Sequence, residues 1–140
     1  MDPITTEGVR KDFGNVPALQ DLTISVGSGE LFGFLGPNGA GKTTTISILT
    51  GRLLPDGGEA SVLGIDPVTE PVAVRRQVGI LPEKETPPSF MTPREYFSFV
   101  GSVRDLSVET VEARAEAWAD RLAYSEKLDT LCTDLSRGQQ

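Results

Sequence analysis

The sequence predicts an α/β fold built around residues 36–44, Gly-Pro-Asn-Gly-Ala-Gly-Lys-Thr-Thr. The apolar run at 31–35 has the length and composition of a strand that is buried on both faces. After the loop, Ile46, Leu49 and Leu53 recur at helical spacing, and Gly51 is placed to end that helix in a left-handed conformation. Strand, glycine-rich loop and helix thus follow in the order that a phosphate-binding loop requires.

The residue types of this loop suit a polyphosphate. Its glycines let the backbone approach the ligand and aim N–H groups inward, at the positive end of the following helix. Lys42 adds a full positive charge that can reach the β- and γ-phosphates, and the Thr43 hydroxyl is placed to ligate a magnesium ion. A turn that merely joins a strand to a helix would need neither the lysine nor this spacing.

Composition excludes several classes of protein. The 140 residues carry a net charge of -7, which disfavours non-specific nucleic-acid binding. The sequence contains one cysteine and no histidine, so an internal disulfide and the usual zinc sites are excluded. No apolar run approaches the ~18 residues of a membrane span. We therefore expect a cytoplasmic protein that serves a membrane, if at all, by docking onto another chain.

The segment before the loop is predicted to form an antiparallel hairpin. Val9, Lys11 and Phe13 share one face of a strand, residues 14–15 are turn material, and residues 22–26 alternate apolar and polar side chains. From spacing alone, Phe13 is either a core residue or an aromatic that stacks on a purine ring.

Residues 60–64 predict a short strand. The apolar run that leads to Asp66 superficially resembles a magnesium-binding aspartate motif, but Gly64 within it and Pro67 after it favour a structural role. A short helix is expected next, at 72–77.

The predicted helix at 72–77 is expected to expose Arg75 and Arg76 on a solvated face. Residues 78–81 are predicted to form a further strand, which Pro82 ends.

From Thr92 the chain is predicted to be helical. Thr92, Pro93 and Glu95 together form a capping box with proline at the first helical position. Ser107 is expected to cap a second helix, whose charged residues form a solvated face. The aromatic and apolar side chains at 96–100 are either core or part of a partner groove.

The last six residues, Leu-Ser-Arg-Gly-Gln-Gln at 135–140, add a second motif. With them, the chain resembles the first part of the nucleotide-binding domain of ABC-type ATPases. The runs at 79–83 and 92–95 resemble ABC-2-type exporter ATPases in particular. Residues 36–44 match the Walker A loop and residues 135–139 match the ABC signature. The resemblance implies a P-loop NTPase core with an antiparallel β part at 9–91, a helical segment at 92–134 and the signature at 135–140, in one partial domain spanning 1–140.

The resemblance also implies ligands and partners. ATP and Mg2+ are expected to bind, Phe13 to stack on adenine and Ala18 to pack near the ribose. A second ABC ATPase subunit in a head-to-tail dimer and a transmembrane permease are the expected partners, with the protein peripheral at the cytoplasmic membrane face. The candidate residues are Gly36, Pro37, Asn38, Gly39, Ala40, Gly41, Lys42, Thr43, Thr44, Phe13 and Ala18 for the nucleotide, Ser136, Gly138 and Gln139 for the second subunit's nucleotide, and Thr43 and Glu83 for the metal.

Two residues depart from the family pattern. Arg137 replaces the first glycine of the signature, and we expect a modest effect because Ser136 and Gly138 are retained. Glu83 stands where many members carry the glutamine of the Q-loop. A carboxylate can ligate magnesium, but its charge changes the electrostatic balance near the γ-phosphate.

In the family, the Walker B aspartate, the catalytic glutamate and the switch histidine follow the signature. No catalytic residue is therefore assigned in this chain, which we interpret as part of a longer protein, truncated before the Walker B strand and inactive alone. The first hypothesis is an ATP-binding subunit that powers export when complete. The alternatives are a non-hydrolysing interaction module and a soluble ABC ATPase that acts on nucleic acid or ribosomes, which the acidic balance disfavours.

Overall fold

The computed structural model describes residues 2–81, 87–136 and 138, and divides the chain into two compact units, Met1–Leu81 and Pro82–Gln140. The first unit contains β1 (Ile4–Phe13), β2 (Val16–Val26), α1 (Lys42–Leu49), β3 (Gly57–Val62) and α2 (Pro71–Gln77). The second contains α3 (Pro93–Val103), α4 (Val108–Arg121) and two short 3-10 helices, Ser125–Lys127 and Cys132–Asp134.

The strands of the first unit form one antiparallel sheet in the order β2-β1-β3. The predicted hairpin is confirmed, because β1 pairs with β2 from Ile4 opposite Val26 to Phe13 opposite Val16. Gly14 occupies the turn with a φ of +62°, a left-handed conformation that glycine adopts without a steric penalty. β1 also pairs with β3, and this ladder ends at Arg10.

Helix α1 packs on the sheet through adjacent apolar residues. Ile48 is buried with Val9 of β1 and Leu19 of β2, and Leu49 is buried with Val62 of β3 and Val74 of α2. The predicted helix ends as expected, since Gly51 follows it with a φ of +63°. The helix that begins at the glycine loop is thereby held against all three strands.

The two strands predicted at 31–35 and 78–81 are wrong for the described residues. Neither run is a strand, and Leu31 and Leu35 are 99% and 95% exposed. A strand is stabilised by a hydrogen-bond ladder and by a face that covers its side chains. Within the described residues the sheet is antiparallel throughout and supplies no neighbour for either run.

Arg75 also differs from its prediction. Its guanidinium donates to the carbonyl oxygen of Gly51 at 2.7 Å and lies 3.4 Å from that of Thr50, where α1 ends. Carbonyl groups at the end of a helix lack intrahelical partners and carry partial negative charge, so a cation is stabilised there. Arg76 is exposed, as predicted. Arg75 therefore joins α2 to α1.

In the second unit, both predicted helix caps are confirmed. Thr92 and Glu95 form the reciprocal capping box of α3, and the Ser107 side chain accepts from the Thr110 N–H at the start of α4. The buried residues of this unit include Ala115, Ala119, Leu128, Cys132 and Leu135, whereas the charged residues of α4 are exposed.

Cys132 is the single cysteine of the chain and is 1% exposed. Burial, with a smaller contribution from the charge of Glu95, raises the pKa of its thiol. The thiol therefore stays protonated at neutral pH and is a poor nucleophile.

The close approach of β1 and β3 gives a first prediction, at Gly58. This residue has a φ of +83°, and an added Cβ would overlap the Gly8 carbonyl and lie 2.5 Å from the Val9 nitrogen. Gly58→Ala combines left-handed strain of about 1–2 kcal/mol with overpacking of about 1–3 kcal/mol. Gly64 has a φ of +78° and no neighbouring atom within 4 Å. We therefore expect Gly64→Ala to lower the free energy of unfolding by the left-handed strain alone. Urea unfolding measures both free energies, and equal losses would contradict this packing.

The contact of Arg75 with the end of α1 gives a second prediction. Arg75→Ala removes a charge-assisted hydrogen bond at a helix terminus and should lower the free energy of unfolding by about 1–2 kcal/mol. Arg76→Ala removes the same side chain from the exposed face of α2 and should change it by less than about 0.5 kcal/mol. Denaturant titration of the two variants beside the unaltered chain tests this. Equal effects at the two positions would show that Arg75 does not join the helices.

Candidate nucleotide-binding site

The glycine loop has the backbone conformation that its sequence requires. Gly39 and Gly41 have φ values of +86° and +83°, in the left-handed region. The Ala40 N–H donates to the Pro37 carbonyl at 3.2 Å, which closes a tight turn. Gly41 is the N-cap of α1, and Lys42 is its first residue.

The first turn of α1 is open to an anion. The N-cap makes no side-chain hydrogen bond, and the first turn contains no acidic residue. The backbone N–H groups of Lys42, Thr43 and Thr44 have no acceptor within the described residues, whereas that of Thr45 donates to the Gly41 carbonyl at 2.8 Å. Unsatisfied N–H groups at the positive end of a helix bind phosphate groups.

Lys42 lies over the loop. Its Nζ donates to the carbonyl oxygens of Gly36 at 2.6 Å and Pro37 at 2.7 Å. Among the described residues, no carboxylate forms an ion pair with it. The ammonium group is therefore held by neutral acceptors, which a charged phosphate can replace with a stronger, charge-assisted bond.

The three threonines that follow Lys42 have different environments. Thr43 is exposed, Thr44 is half-buried and Thr45 is buried. The Thr45 hydroxyl donates to the Gly41 carbonyl at 2.9 Å. Sequence reasoning missed this residue, although its position four residues after Gly41 is the spacing at which a threonine bonds a helical carbonyl. Thr45 thus fixes the loop to the helix, whereas Thr43 is exposed at the start of α1.

Strand β2 lies directly behind the loop. An added Cβ on Gly41 would lie 2.6 Å from the Ala18 carbonyl oxygen and 2.5 Å from Cδ2 of Leu19. Only glycine therefore fits at 41 while β2 stays in place. This contact also brings Ala18, the predicted ribose neighbour, to the phosphate loop.

Phe13 is 53% exposed, so the core alternative for this residue is wrong. It ends β1 and pairs with Val16, which precedes Ala18 by two residues on β2. Two residues of a strand span about 7 Å. The hairpin therefore puts the exposed Phe13 about two strand positions from Ala18, whose carbonyl borders Gly41.

The signature residues lie in the second unit. Leu135 is buried, and Ser136 and Gly138 are exposed. Two of the predicted site residues, Glu83 and Gln139, lie outside the described residues, as does Arg137, the departure from the signature pattern. Their roles, like those of the other candidate residues, remain predictions.

Asp66 has the structural role expected from sequence. Its carboxylate accepts from the Val68 N–H at 2.7 Å and from the Thr69 hydroxyl at 3.0 Å, in the turn that follows β3. The described residues contain no group of three or more acidic, cysteine or histidine side chains that could hold a metal. A metal at this loop would thus take most of its ligands from phosphate and water, as magnesium does.

No helix among the described residues is long and apolar enough to cross a membrane.

Comparison with curated proteins gives relatives whose names refer to ATP binding. The chain is 37% identical over 133 residues to the Nod factor export ATP-binding protein I of Bradyrhizobium sp. (strain SNU001). This match covers 95% of this chain and 43% of that protein. It is 36% identical over 123 residues to the daunorubicin resistance ATP-binding protein DrrA3 of Streptomyces coeruleorubidus, covering 88% and 39%. It is 35% identical over 139 residues to ATP-binding cassette sub-family A member 7 of Rattus norvegicus, covering 98% and 6%. The chain thus spans less than half the length of these relatives.

Solved structures confirm the predicted fold class. An ATP-binding subunit of an ABC transporter superposes with a TM-score of 0.83 at 26% identity, covering 96% of this chain and 56% of that one. A nucleotide-free ATP-binding cassette from an ABC transporter superposes with a TM-score of 0.79 at 30% identity, covering 99% and 61%. The family model for ABC transporters matches residues 19–140, and the chain therefore belongs to the ABC transporter family of ATP-binding domains.

Proposed function

We propose that this chain binds ATP with magnesium at residues 36–44, as the nucleotide-binding part of an ABC transporter. One observation carries the proposal. The first turn of α1 presents three N–H groups without acceptors beside a lysine that no described carboxylate neutralises. Such an arrangement stabilises a polyphosphate and has no evident structural purpose.

The phosphates are bound by the backbone of residues 36–44 and by Lys42. Gly39 and Gly41 hold the loop in a conformation that turns N–H groups toward the ligand. Lys42 exchanges the carbonyls of Gly36 and Pro37 for β- and γ-phosphate oxygens. The site is local, which allows a chain of net charge -7 to bind an anion.

Magnesium fits the residues present. Thr43 is an exposed residue in the first turn of α1, where its hydroxyl would ligate the ion, and Glu83 is proposed as a second ligand. Magnesium would supply positive charge that offsets the negative charge of the phosphates. The chain's own residues provide the loop that fixes the phosphates and the threonine oxygen beside them.

The nucleoside is proposed to lie along the β1–β2 hairpin. The carbonyl of Ala18 borders the loop at Gly41, which supports a ribose at this point. The exposed ring of Phe13 lies farther along the same hairpin and offers a face on which adenine stacks.

The proposed partners follow from family membership. Ser136, Gly138 and Gln139 would contact ATP bound by a second subunit in a head-to-tail dimer, and Arg137 would have a modest effect. A permease would hold the protein at the cytoplasmic face of the membrane. The relatives named for Nod factor export and daunorubicin resistance support an exporter. No residue of this chain is assigned to water activation, so the proposal covers nucleotide binding alone.

The role of Lys42 gives the central test. Isothermal titration with Mg-ATP should show binding by the unaltered chain, and Lys42→Ala should raise the Kd about tenfold or more because a charge-assisted contact is lost. Lys127→Ala removes the same charge from the second unit and should leave the Kd unchanged. Binding that is insensitive to Lys42→Ala would place the nucleotide elsewhere and overturn the proposal.

The role of Thr43 is tested by removal of the metal. In excess EDTA, the unaltered chain and Thr43→Val should bind ATP alike, since the hydroxyl acts only through magnesium. Magnesium is then added to both proteins. The factor by which it lowers the Kd for ATP should be at least about tenfold larger for the unaltered chain than for Thr43→Val. A similar magnesium response in both proteins would remove Thr43 from the metal site.

A further inference from the structure

Asp56 binds three consecutive residues at the end of β1. Its backbone N–H donates to the Arg10 carbonyl at 2.8 Å. Its Oδ1 accepts from the Lys11 ammonium at 2.8 Å, and its Oδ2 accepts from the Asp12 N–H at 2.7 Å. The residue after these three is Phe13, whose exposed ring is the proposed stacking surface for the nucleotide base.

The place of Asp56 explains why these bonds matter. The β1–β3 ladder ends where Arg10 pairs with Gly57, whereas β1 continues to Phe13 along β2 alone. A strand end without a neighbour on one side lacks ladder bonds there and frays more readily. The Asp56 carboxylate supplies the acceptor that β3 no longer provides, so Asp12 is held from both sides.

Lys11 connects this carboxylate to the aromatic ring. Its side chain is only 14% exposed, and its Nζ lies 5.8 Å from the centre of the Phe13 ring. A cation within about 6 Å of a ring centre is attracted to the ring face. The ammonium is fixed by Asp56 at the same time, so the orientation of the ring depends on the pair.

The charge of Asp56 is maintained at neutral pH. The Asp12 N–H, and then the Lys11 ammonium, lower the pKa of its carboxyl group. The Asp56 carboxyl group is therefore ionised at neutral pH.

We propose that Asp56 and Lys11 are positioning residues that hold the Phe13 ring ready to stack on the nucleotide base. The inference rests on the proposed ATP site. Neither residue belongs to the glycine loop, and neither needs to contact the nucleotide. They restrict the Phe13 side chain before the ligand binds, so that less conformational entropy is lost on binding. This favours ligands that carry a base over those that do not.

A ligand without a base separates this role from phosphate binding. Isothermal titration of the chain with Mg-ATP and with magnesium tripolyphosphate gives two Kd values for each variant. We expect Asp56→Ala and Lys11→Met to raise the Kd for ATP about three- to tenfold and to leave that for tripolyphosphate unchanged. Phe13→Ala should show a larger selective loss, of more than about tenfold. Adding Asp56→Ala to Phe13→Ala should have little further effect, because both act through one ring.

Asp66→Ala is the matched control. It removes a carboxylate that likewise accepts one N–H and one side-chain donor, in a turn of the same unit. This variant should lower stability without changing the ratio of the two Kd values. If Asp56→Ala does not fold, Lys11→Met still tests the inference, because in that variant the Asp12 N–H still donates to the Asp56 carboxylate.

Equal losses for ATP and tripolyphosphate would overturn the inference, because Lys11 or Asp56 would then act on the phosphates or on folding. No loss for either ligand would overturn it as well. Failure of the proposed function would give a different result. The unaltered chain would bind neither ligand, or Lys42→Ala would change neither Kd. Either result would overturn the inference together with the proposed function.

Discussion

The contact between β2 and Gly41 is the constraint on which the site depends. Leu19 of β2 is buried with Ile48 of α1, and the same segment of β2 leaves no space for a side chain at position 41. The core therefore sets the distance between the sheet and the loop. A close-packed interior transmits such a constraint because it has little free volume. The loop conformation is a consequence of packing as well as of glycine's freedom.

Electrostatics add a second level to this arrangement. The chain is acidic overall, yet the first turn of α1 contains no acidic residue and its N-cap, Gly41, makes no side-chain hydrogen bond. Exposed charges more than about 8–10 Å from the loop are largely screened at physiological ionic strength. The affinity for a polyphosphate thus depends on a few dipoles and one lysine, and the net charge has little influence on it.

Local features were predictable from the sequence. The glycine loop, the capping box at Thr92 and the end of α1 at Gly51 each depend on a few neighbouring residues, and all three are confirmed. The predicted strand at 31–35 is wrong because a strand needs partners that are distant in sequence, and composition does not reveal whether they are present. Arg75 was assigned to a solvated face for the same reason, since its acceptors belong to another helix. Exposure decided against a core role for Phe13, which spacing alone had left open.

The burial of Cys132 gives the second unit an intrinsic probe. A thiol reagent reacts with the thiolate, and this thiol is both enclosed and kept protonated. Its modification therefore requires a transient opening of the second unit. Because the sequence has no other cysteine, the rate of modification reports the free energy of that opening separately from events at the glycine loop.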